Sequence, residues 1–281
     1  MPLALNEIVM SMRSLQPFPT VATTVMQMAS DPDTTPSDLI EAIQTDPALV
    51  AKILKLCNSA FYGFQREIAS LREAGNMLGT ETLVSLVMTT CTNRFFKHQK
   101  NGDSKMSEGL WERCVTLAVA SRLLAQEHGR TDPERAYTVG LLQNVGEIVL
   151  TPLLEEHQDQ LIAEMTCGRS AMDAEKVILG VHHAEIGARL ATFWQLPDLM
   201  TDTIRYHHDP EQSTHDKVLA STTHLAETMT HSSLDANAAR RLYYKPADCA
   251  LEYTGLKLSD FEEFEMKLSA ELVKAQDLLG G

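Results

Sequence analysis

Apolar residues recur at steps of three and four along almost the whole chain of 281 residues, and no run of alternating β-branched residues stands out. Steps of three and four place side chains on one face of an α-helix, whereas a half-buried strand requires strict alternation. One such stripe comprises Leu39, Ile40 and Ile43, and the next includes Leu49 and Ile53. The sequence therefore predicts an all-α protein.

Three helix starts are indicated by residues that can cap a helix. Thr35, Asp46 and Asp132 each directly precede a proline. A Thr or Asp side chain accepts a hydrogen bond from a free N–H group of the first turn, and proline lacks the N–H that would otherwise be unpaired there. We therefore expect helices to begin at positions 36, 47 and 133.

The segment from Gly140 to Glu147 is interpreted as the front of an apolar helix that continues through Leu150. Gln143 and Asn144 stand side by side within this segment. Two neighbouring amides in an otherwise apolar helix indicate polar residues that face a cleft.

The longest apolar runs, such as residues 83–88, are far shorter than the roughly 20 residues that a membrane-spanning helix needs. Residues 1–13 lack the basic start and apolar stretch of a secretory signal. These features predict a cytoplasmic protein without a membrane segment. The five cysteines form no CxxC pair, so neither a disulfide framework nor a cysteine zinc site is indicated.

The charge of the chain argues against nucleic acid as a partner. The net charge is −14, and residues 101–281 carry 29 acidic side chains against 16 basic ones. Binding to a phosphate backbone is driven largely by Lys and Arg residues that displace counterions. Residues 1–100, with 8 basic and 9 acidic side chains, form a nearly neutral part.

Residues 98–107 are polar and contain Gly102, which indicates a linker. We expect a first helical lobe at residues 1–105, a second lobe at residues 106–232 and a C-terminal helical extension at residues 233–281. The extension shows no catalytic pattern.

Short motifs follow one another along both lobes. In the first lobe they are LQPFP at 15–19, DPAL at 46–49, LCNSAFY at 56–62, IASL at 68–71 and LG at 78–79. In the second lobe they are Trp111, GLL at 140–142 with VG at 145–146, His183 with Gly187, WQLP at 194–197, and His207 with His208. In this order the motifs resemble the HDOD (HD-related output domain) family, the signalling relatives of the HD-domain phosphohydrolases, over residues 15–230.

The resemblance implies a two-lobe, all-α module in which an N-terminal helical lobe packs on a degenerate HD-type lobe. Such modules are usually non-catalytic outputs of bacterial signalling systems, often joined to receiver or other sensory domains.

The resemblance also implies where a metal site would lie. HD hydrolases hold one or two divalent metals with an early histidine, an adjacent His-Asp pair and a later aspartate. These positions correspond here to Arg113, to Gln143 with Asn144, and, in a loose alignment, to Glu227. Amides are weak neutral ligands and arginine supplies a fixed positive charge, so three of the four positions disfavour a metal. Arg113 could replace the charge of the metal by pairing with Glu227 or with an anion.

Several histidines remain near the expected pocket. His183, His207 and His208 either form a residual site for a metal or an anion, or are hydrogen-bonded residues that line a buried polar cleft. No metal is expected; the ions that the alternative would require are Fe, Mn or Mg. The histidines expected to face outward are His182, His215, His224 and His231.

Two functions follow from these observations. The first is a non-catalytic module, without catalytic residues, that contacts an unidentified signalling protein or senses a small ligand or anion in the degenerate pocket. The alternative is a metal-dependent phosphohydrolase that acts on a nucleotide or a cyclic dinucleotide with a rearranged histidine site.

Overall fold

The computed structural model describes residues 5–99, 104–234 and 245–279 of the chain. Every regular element in these residues is a helix, which confirms the predicted fold class. The first part of the chain forms six α-helices: α1 (Leu5–Ser14), α2 (Thr20–Ser30), α3 (Pro36–Gln44), α4 (Pro47–Cys57), α5 (Leu71–Leu78) and α6 (Thr80–Lys97).

The remaining helices surround the expected pocket and extend towards the C-terminus. They are α7 (Ser104–His128), α8 (Pro133–Leu142), α9 (Glu147–Glu155), α10 (Gln158–Thr166), α11 (Ala171–Leu179), α12 (His183–Phe193), α13 (Asp198–Tyr206), α14 (Lys217–Leu234), α15 (Asp248–Thr254), α16 (Phe261–Lys274) and α17 (Gln276–Leu279). Short 3-10 turns lie at Pro210–Gln212 and Leu258–Asp260. None of the described helices is long and apolar enough to cross a membrane.

The three predicted helix starts are correct. The side chains of Thr35, Asp46 and Asp132 accept hydrogen bonds from backbone N–H groups three residues further along, at the starts of α3, α4 and α8. Each of these bonds satisfies an N–H group that the helix itself cannot pair. The caps are local, which is why the sequence alone located them.

The core is continuous between the first six helices and the rest of the chain. Helices α7 and α8 pack along each other, and α6 contacts both of them. Phe18, in the α1–α2 loop, stacks on Trp194 with ring centroids 4.4 Å apart, and Phe95 of α6 contacts both rings edge-on. Aromatic rings therefore join the start of the chain to the end of α12.

The expected linker at residues 98–107 is shorter at its C-terminal end, because α7 begins at Ser104. Residues 100–103 lie outside the described part of the chain. The division into lobes near residue 105 stays a prediction.

The expectation of one helix from Gly140 through Leu150 is wrong. Helix α8 ends at Leu142 and α9 begins at Glu147, with a tight turn at residues 143–146. Backbone hydrogen bonds in the turn join residues three apart, from Val145 N to Leu142 O and from Glu147 N to Asn144 O, where a continuous α-helix would join residues four apart. A Cβ atom on Gly146 would overlap the backbone oxygen of His183. The turn lets the start of α12 pack directly against the backbone at Gly146.

Candidate functional site

Four side chains that can ligate a metal meet at one point among the described residues: His183, His207, His208 and Glu227. Their potential ligand atoms all lie within 4.8 Å of one another. His183 is the first residue of α12, the two adjacent histidines follow α13, and Glu227 lies in α14. We call these four residues the histidine cluster.

Glu175 of α11 fixes the orientation of His183. Its carboxylate accepts hydrogen bonds from the backbone N–H of His183 at 2.8 Å and from Nδ1 of the imidazole at 2.8 Å. A carboxylate can only accept, so Nδ1 carries the proton and Nε2 points towards the rest of the cluster. Burial lowers the pKa of His183, but the charge and the hydrogen bond of Glu175, together with the charges of Glu147 and Glu227, raise the pKa to about 9. His183 is therefore an imidazolium at neutral pH.

His207 is fully buried, and its Nδ1 donates to the backbone oxygen of Ile204 at 2.7 Å. Nε2 is then the lone-pair nitrogen; it makes no hydrogen bond with the described residues and lies 3.5 Å from Oε2 of Glu227. Burial lowers the pKa of His207 to about 4. The ring thus offers a buried basic nitrogen to the cluster at neutral pH.

His208 connects His183 to Glu227. Its Nε2 lies 2.8 Å from Nε2 of His183, and its Nδ1 lies 3.6 Å from Oε2 of Glu227. Burial and the neighbouring His207 lower the pKa of His208, so it is the neutral partner that accepts a hydrogen bond from Nε2–H of His183. This hydrogen bond joins the two imidazoles of the cluster.

The turn that carries His207 and His208 is held in place by Asp202 of α13. The carboxylate of Asp202 accepts hydrogen bonds from Ser213 Oγ at 2.6 Å and from Thr214 N and Oγ1 at 3.1 and 2.9 Å. These contacts close the loop between α13 and α14.

The two amides predicted to face the pocket differ in their contacts, and Gln143 is not among the residues that line the cleft. Asn144 donates from Nδ2 to Oε1 of Glu227 at 3.0 Å. Gln143 is fully buried, and neither its Oε1 nor its Nε2 has a hydrogen-bond partner among the described residues. The Asn144 amide therefore orients Glu227.

Arg113 lies at the edge of a cleft of about 630 Å³ that opens beside the cluster. Its guanidinium binds the carboxylate of Glu147, with both oxygens 2.9 Å from Nη1. Burial raises the pKa of Glu147, and the charge of Arg113 opposes that rise. The other residues that line the cleft include apolar ones, Leu150, Leu154, Leu161 and Met165, and polar ones, Glu175, His183 and Glu227.

The donors of the histidine cluster fit a divalent transition metal. Neutral imidazole and carboxylate are ligands that such ions prefer, and ligating histidines usually donate their second N–H to a carboxylate or a carbonyl. His183 does so to Glu175 and His207 does so to Ile204. The unpaired Nε2 of His207 is a further sign of a site that accepts a ligand. A metal bound by Nε2 of His183 would have to displace the proton that this nitrogen donates to His208.

Two of the histidines expected at the surface are buried. His182 is 6% exposed and contacts Glu185 at 3.2 Å, because the chain turns inward before α12. His224 is 8% exposed; its Nδ1 donates to the backbone oxygen of His207 and its Nε2 accepts from the N–H of Ala247. Helical spacing could not show that the loop after α13 and the chain before α15 would cover that face of α14.

His215 lies at the surface, as expected, and the side chain of His231 lies outside the described residues. The sequence reasoning missed Glu175 and Glu147, which contact His183 and Arg113. Glu175 stands eight residues before His183 with Gly180 between them, and Gly180 adopts a left-handed conformation that ends α11. A glutamate before a helix-ending glycine and a histidine is a weak signal, and only the folded chain brings the two side chains together.

Comparisons with known proteins agree with the architecture. Residues 15–210 match the family model of the HDOD domain. An uncharacterized protein of Treponema pallidum (strain Nichols) is 32% identical over 216 residues, which are 75% of this chain and 41% of that protein. The chain thus spans about two fifths of the length of the curated relative that it matches.

Two solved structures share the fold. An HDOD domain protein of unknown function from Geobacter sulfurreducens has a TM-score of 0.76 and 22% identity, covering 98% of this chain and 96% of its own. A protein from Shewanella amazonensis SB2B, provisionally named a phosphohydrolase, has a TM-score of 0.72 and 23% identity, covering 98% of this chain and 97% of its own. At these identities the likeness shows the fold alone.

Proposed function

The chain belongs to the HDOD family, whose members are related to HD phosphohydrolases and signalling proteins, and we propose that it is a regulatory module without hydrolase activity. Its second lobe senses a small ligand or anion in the cleft beside the histidine cluster, and its output is contact with a signalling protein of a bacterial cell. The division into an N-terminal lobe and a degenerate HD-type lobe is part of this proposal.

The observation that carries the proposal is the engagement of Asn144 with Glu227. In the alignment implied by the family, Asn144 stands where a hydrolase has the aspartate of its His-Asp pair. A neutral amide is a weak metal ligand, and here it donates a hydrogen bond to the carboxylate that would otherwise be available to a metal. Gln143, at the other position of the pair, is fully buried.

Two cationic side chains of the protein supply positive charge at the site. His183 is an imidazolium held by Glu175, and Arg113 forms an ion pair with Glu147. The two ion pairs join these cations to the carboxylates of Glu175 and Glu147. The charges of these two acidic groups are therefore balanced by side chains of the protein.

The cleft is suited to ligand sensing. Its volume of about 630 Å³ is within the range of sites for small molecules, and one wall is apolar. The guanidinium of Arg113 is about half exposed at the rim, where an anionic group of a ligand can compete with Glu147. Opening of the Arg113–Glu147 pair would couple ligand binding to the contact between α7 and α9.

The proposal is tested by measuring metal content and turnover together. Protein purified without chelators is analysed by mass spectrometry for Mn, Fe and Zn, and its activity on bis(p-nitrophenyl) phosphate is followed with added Mn²⁺ or Fe²⁺. We expect no turnover under any of these conditions. His207→Ala and His215→Ala serve as a matched pair, since His207 belongs to the cluster and His215 is exposed.

The second candidate function is a metal-dependent phosphohydrolase that acts on a nucleotide or a cyclic dinucleotide. The specific observation in its favour is the histidine cluster, in which Glu175 orients His183 and Nε2 of His207 has no hydrogen-bond partner among the described residues. His183, His207, His208 and Glu227 would hold the ion. A divalent ion bound there would supply Lewis acidity and lower the pKa of a bound water.

The matched pair separates the two functions. Turnover that is lost in His207→Ala and kept in His215→Ala would contradict the regulatory proposal and support the second candidate. Bound metal without turnover would place the ion in a sensory role and leave the regulatory proposal intact.

A further inference from the structure

A second, smaller cavity lies between the first lobe and α7, away from the histidine cluster. Its volume is about 50 Å³, enough for more than one water molecule and too little for a nucleotide. The residues that line it come from four helices, α4, α6, α7 and α17. They are Lys52, Lys55, Leu56, Thr89, Thr90, Asn93, Trp111, Asp277 and Leu278.

The floor of this cavity holds polar groups that lack partners. Trp111 is 4% exposed, and its indole Nε1 makes no hydrogen bond with any described residue. Asn93 is 5% exposed, and its Oδ1 also has no partner among the described residues; this atom is an acceptor, so its partner is a donor such as a water molecule or a lysine N–H. Buried polar atoms without partners are rare in folded proteins, and a bound water or ion is a common reason for them. The indole can only donate, so it requires an acceptor.

The rim of the cavity is positively charged. Lys52 and Lys55 line it and are exposed, whereas Asn93 and Trp111 are buried. Burial lowers the pKa of Lys52, as do the nearby charges of Lys97, Arg94 and Lys55. Neighbouring cations repel one another, and an anion placed between them stabilises their charged forms.

We propose that this cavity binds a small oxyanion, such as phosphate or a compact carboxylate, which accepts a hydrogen bond from Trp111 and charge-assisted hydrogen bonds from Lys52 and Lys55. The inference does not depend on the function proposed above, because it concerns a different site. Asp277 also lines the cavity and brings one negative charge, so two lysines and one aspartate leave a net positive site.

The position of Trp111 relates this site to the cleft. Residues two apart on an α-helix point about 200° apart, so Trp111 and Arg113 lie on opposite faces of α7. Trp111 lines the anion cavity and Arg113 lines the cleft. An anion bound on one face therefore contacts the same helix turn that holds the Arg113–Glu147 pair.

The test uses the full chain labelled with ¹⁵N, because the indole N–H groups of its two tryptophans give separate NMR signals. Trp111→Phe or Trp194→Phe assigns them. Inorganic phosphate is titrated at constant ionic strength, with sodium chloride as the reference and acetate as the carboxylate probe. We expect a saturable downfield shift of the Trp111 signal and no such shift of the Trp194 signal.

Charge variants identify the site. Lys52→Gln with Lys55→Gln is expected to weaken phosphate binding about tenfold or more, since charge-assisted hydrogen bonds are lost. Asp277→Asn is expected to strengthen binding, because it removes a repelling charge. Lys274→Gln removes one positive charge from a half-exposed side chain at the end of α16, which does not line the cavity, and should leave the affinity unchanged.

Absence of a saturable Trp111 shift with either anion would overturn the proposal. An affinity that is the same in the double lysine variant as in the wild type would overturn it as well. The variants change exposed lysines, so circular dichroism should show wild-type helix content and leave the binding result interpretable.

Discussion

Replacement of Glu175 by glutamine tests the electrostatics of the histidine cluster. The carboxylate of Glu175 contacts both the backbone N–H and Nδ1 of His183, and its charge and hydrogen bond are the main causes that raise the pKa of that imidazole to about 9 against the effect of burial, with smaller effects of Glu147 and Glu227. Glu175→Gln keeps the size and an acceptor oxygen but removes the charge. Burial then dominates, and we expect the pKa of His183 to fall below its ordinary value of 6.5.

The expected size of the effect follows from these pKa values. A pKa of about 9 in the folded protein against 6.5 in the unfolded chain corresponds to about 3 kcal/mol of stability. Because the pKa is raised on folding, this contribution is fully present below pH 6.5 and is lost as the pH rises through 9. We therefore expect Glu175→Gln to lower the free energy of unfolding by about 3 kcal/mol at pH 6 and by much less above pH 9.

The pKa of His183 is measured by NMR titration of the histidine rings, with His183→Asn to assign the signal. The free energy of unfolding is measured in parallel by urea denaturation at pH 6, 7.5 and 9.5. Glu185→Gln is the matched control, because this carboxylate contacts His182 rather than His183. A His183 that titrates at or below pH 6.5 in the wild type, or parallel stability curves for wild type and Glu175→Gln, would refute the reasoning.

Two further substitutions probe the turn beside the cluster. Gly146→Ala would force a Cβ onto the backbone oxygen of His183 and should lower the free energy of unfolding by about 3 kcal/mol. Gly109→Ala is the control: it lies in α7 with open space around it and should raise the free energy of unfolding by about 0.5 kcal/mol. Urea denaturation of both variants measures the difference. Asn144→Asp would place a second carboxylate against Glu227 and should lower the free energy of unfolding by about 3 kcal/mol in the presence of a chelator. Addition of Mn²⁺ should restore the stability, which is measured as a rise in the melting temperature. A melting temperature that does not respond to Mn²⁺ would contradict the expected position of residue 144 beside a metal site.

The sequence predicted those features that depend on neighbours within a few residues. Helix periodicity and the caps at Thr35, Asp46 and Asp132 involve contacts between residues three or four apart, and the structure shows them as expected. The family resemblance, based on an ordered series of motifs, is also confirmed. The candidate residues His183 and Glu227 could be named from these motifs, although their mutual distances could not.

Only the tertiary structure decided which residues share the site. Glu175 reaches His183 because α11 ends at a left-handed glycine and the chain reverses, and Asn144 reaches Glu227 across 83 residues of sequence. The close approach of Gly146 to the backbone of His183 likewise joins segments that are distant in the sequence. Periodicity indicates which face of a helix is apolar, but the burial and the pKa of a side chain depend on the residues that pack against that face. The sequence by itself determined the helices, the caps and the family; the packing of distant segments determined the protonation and the contacts of the histidine cluster.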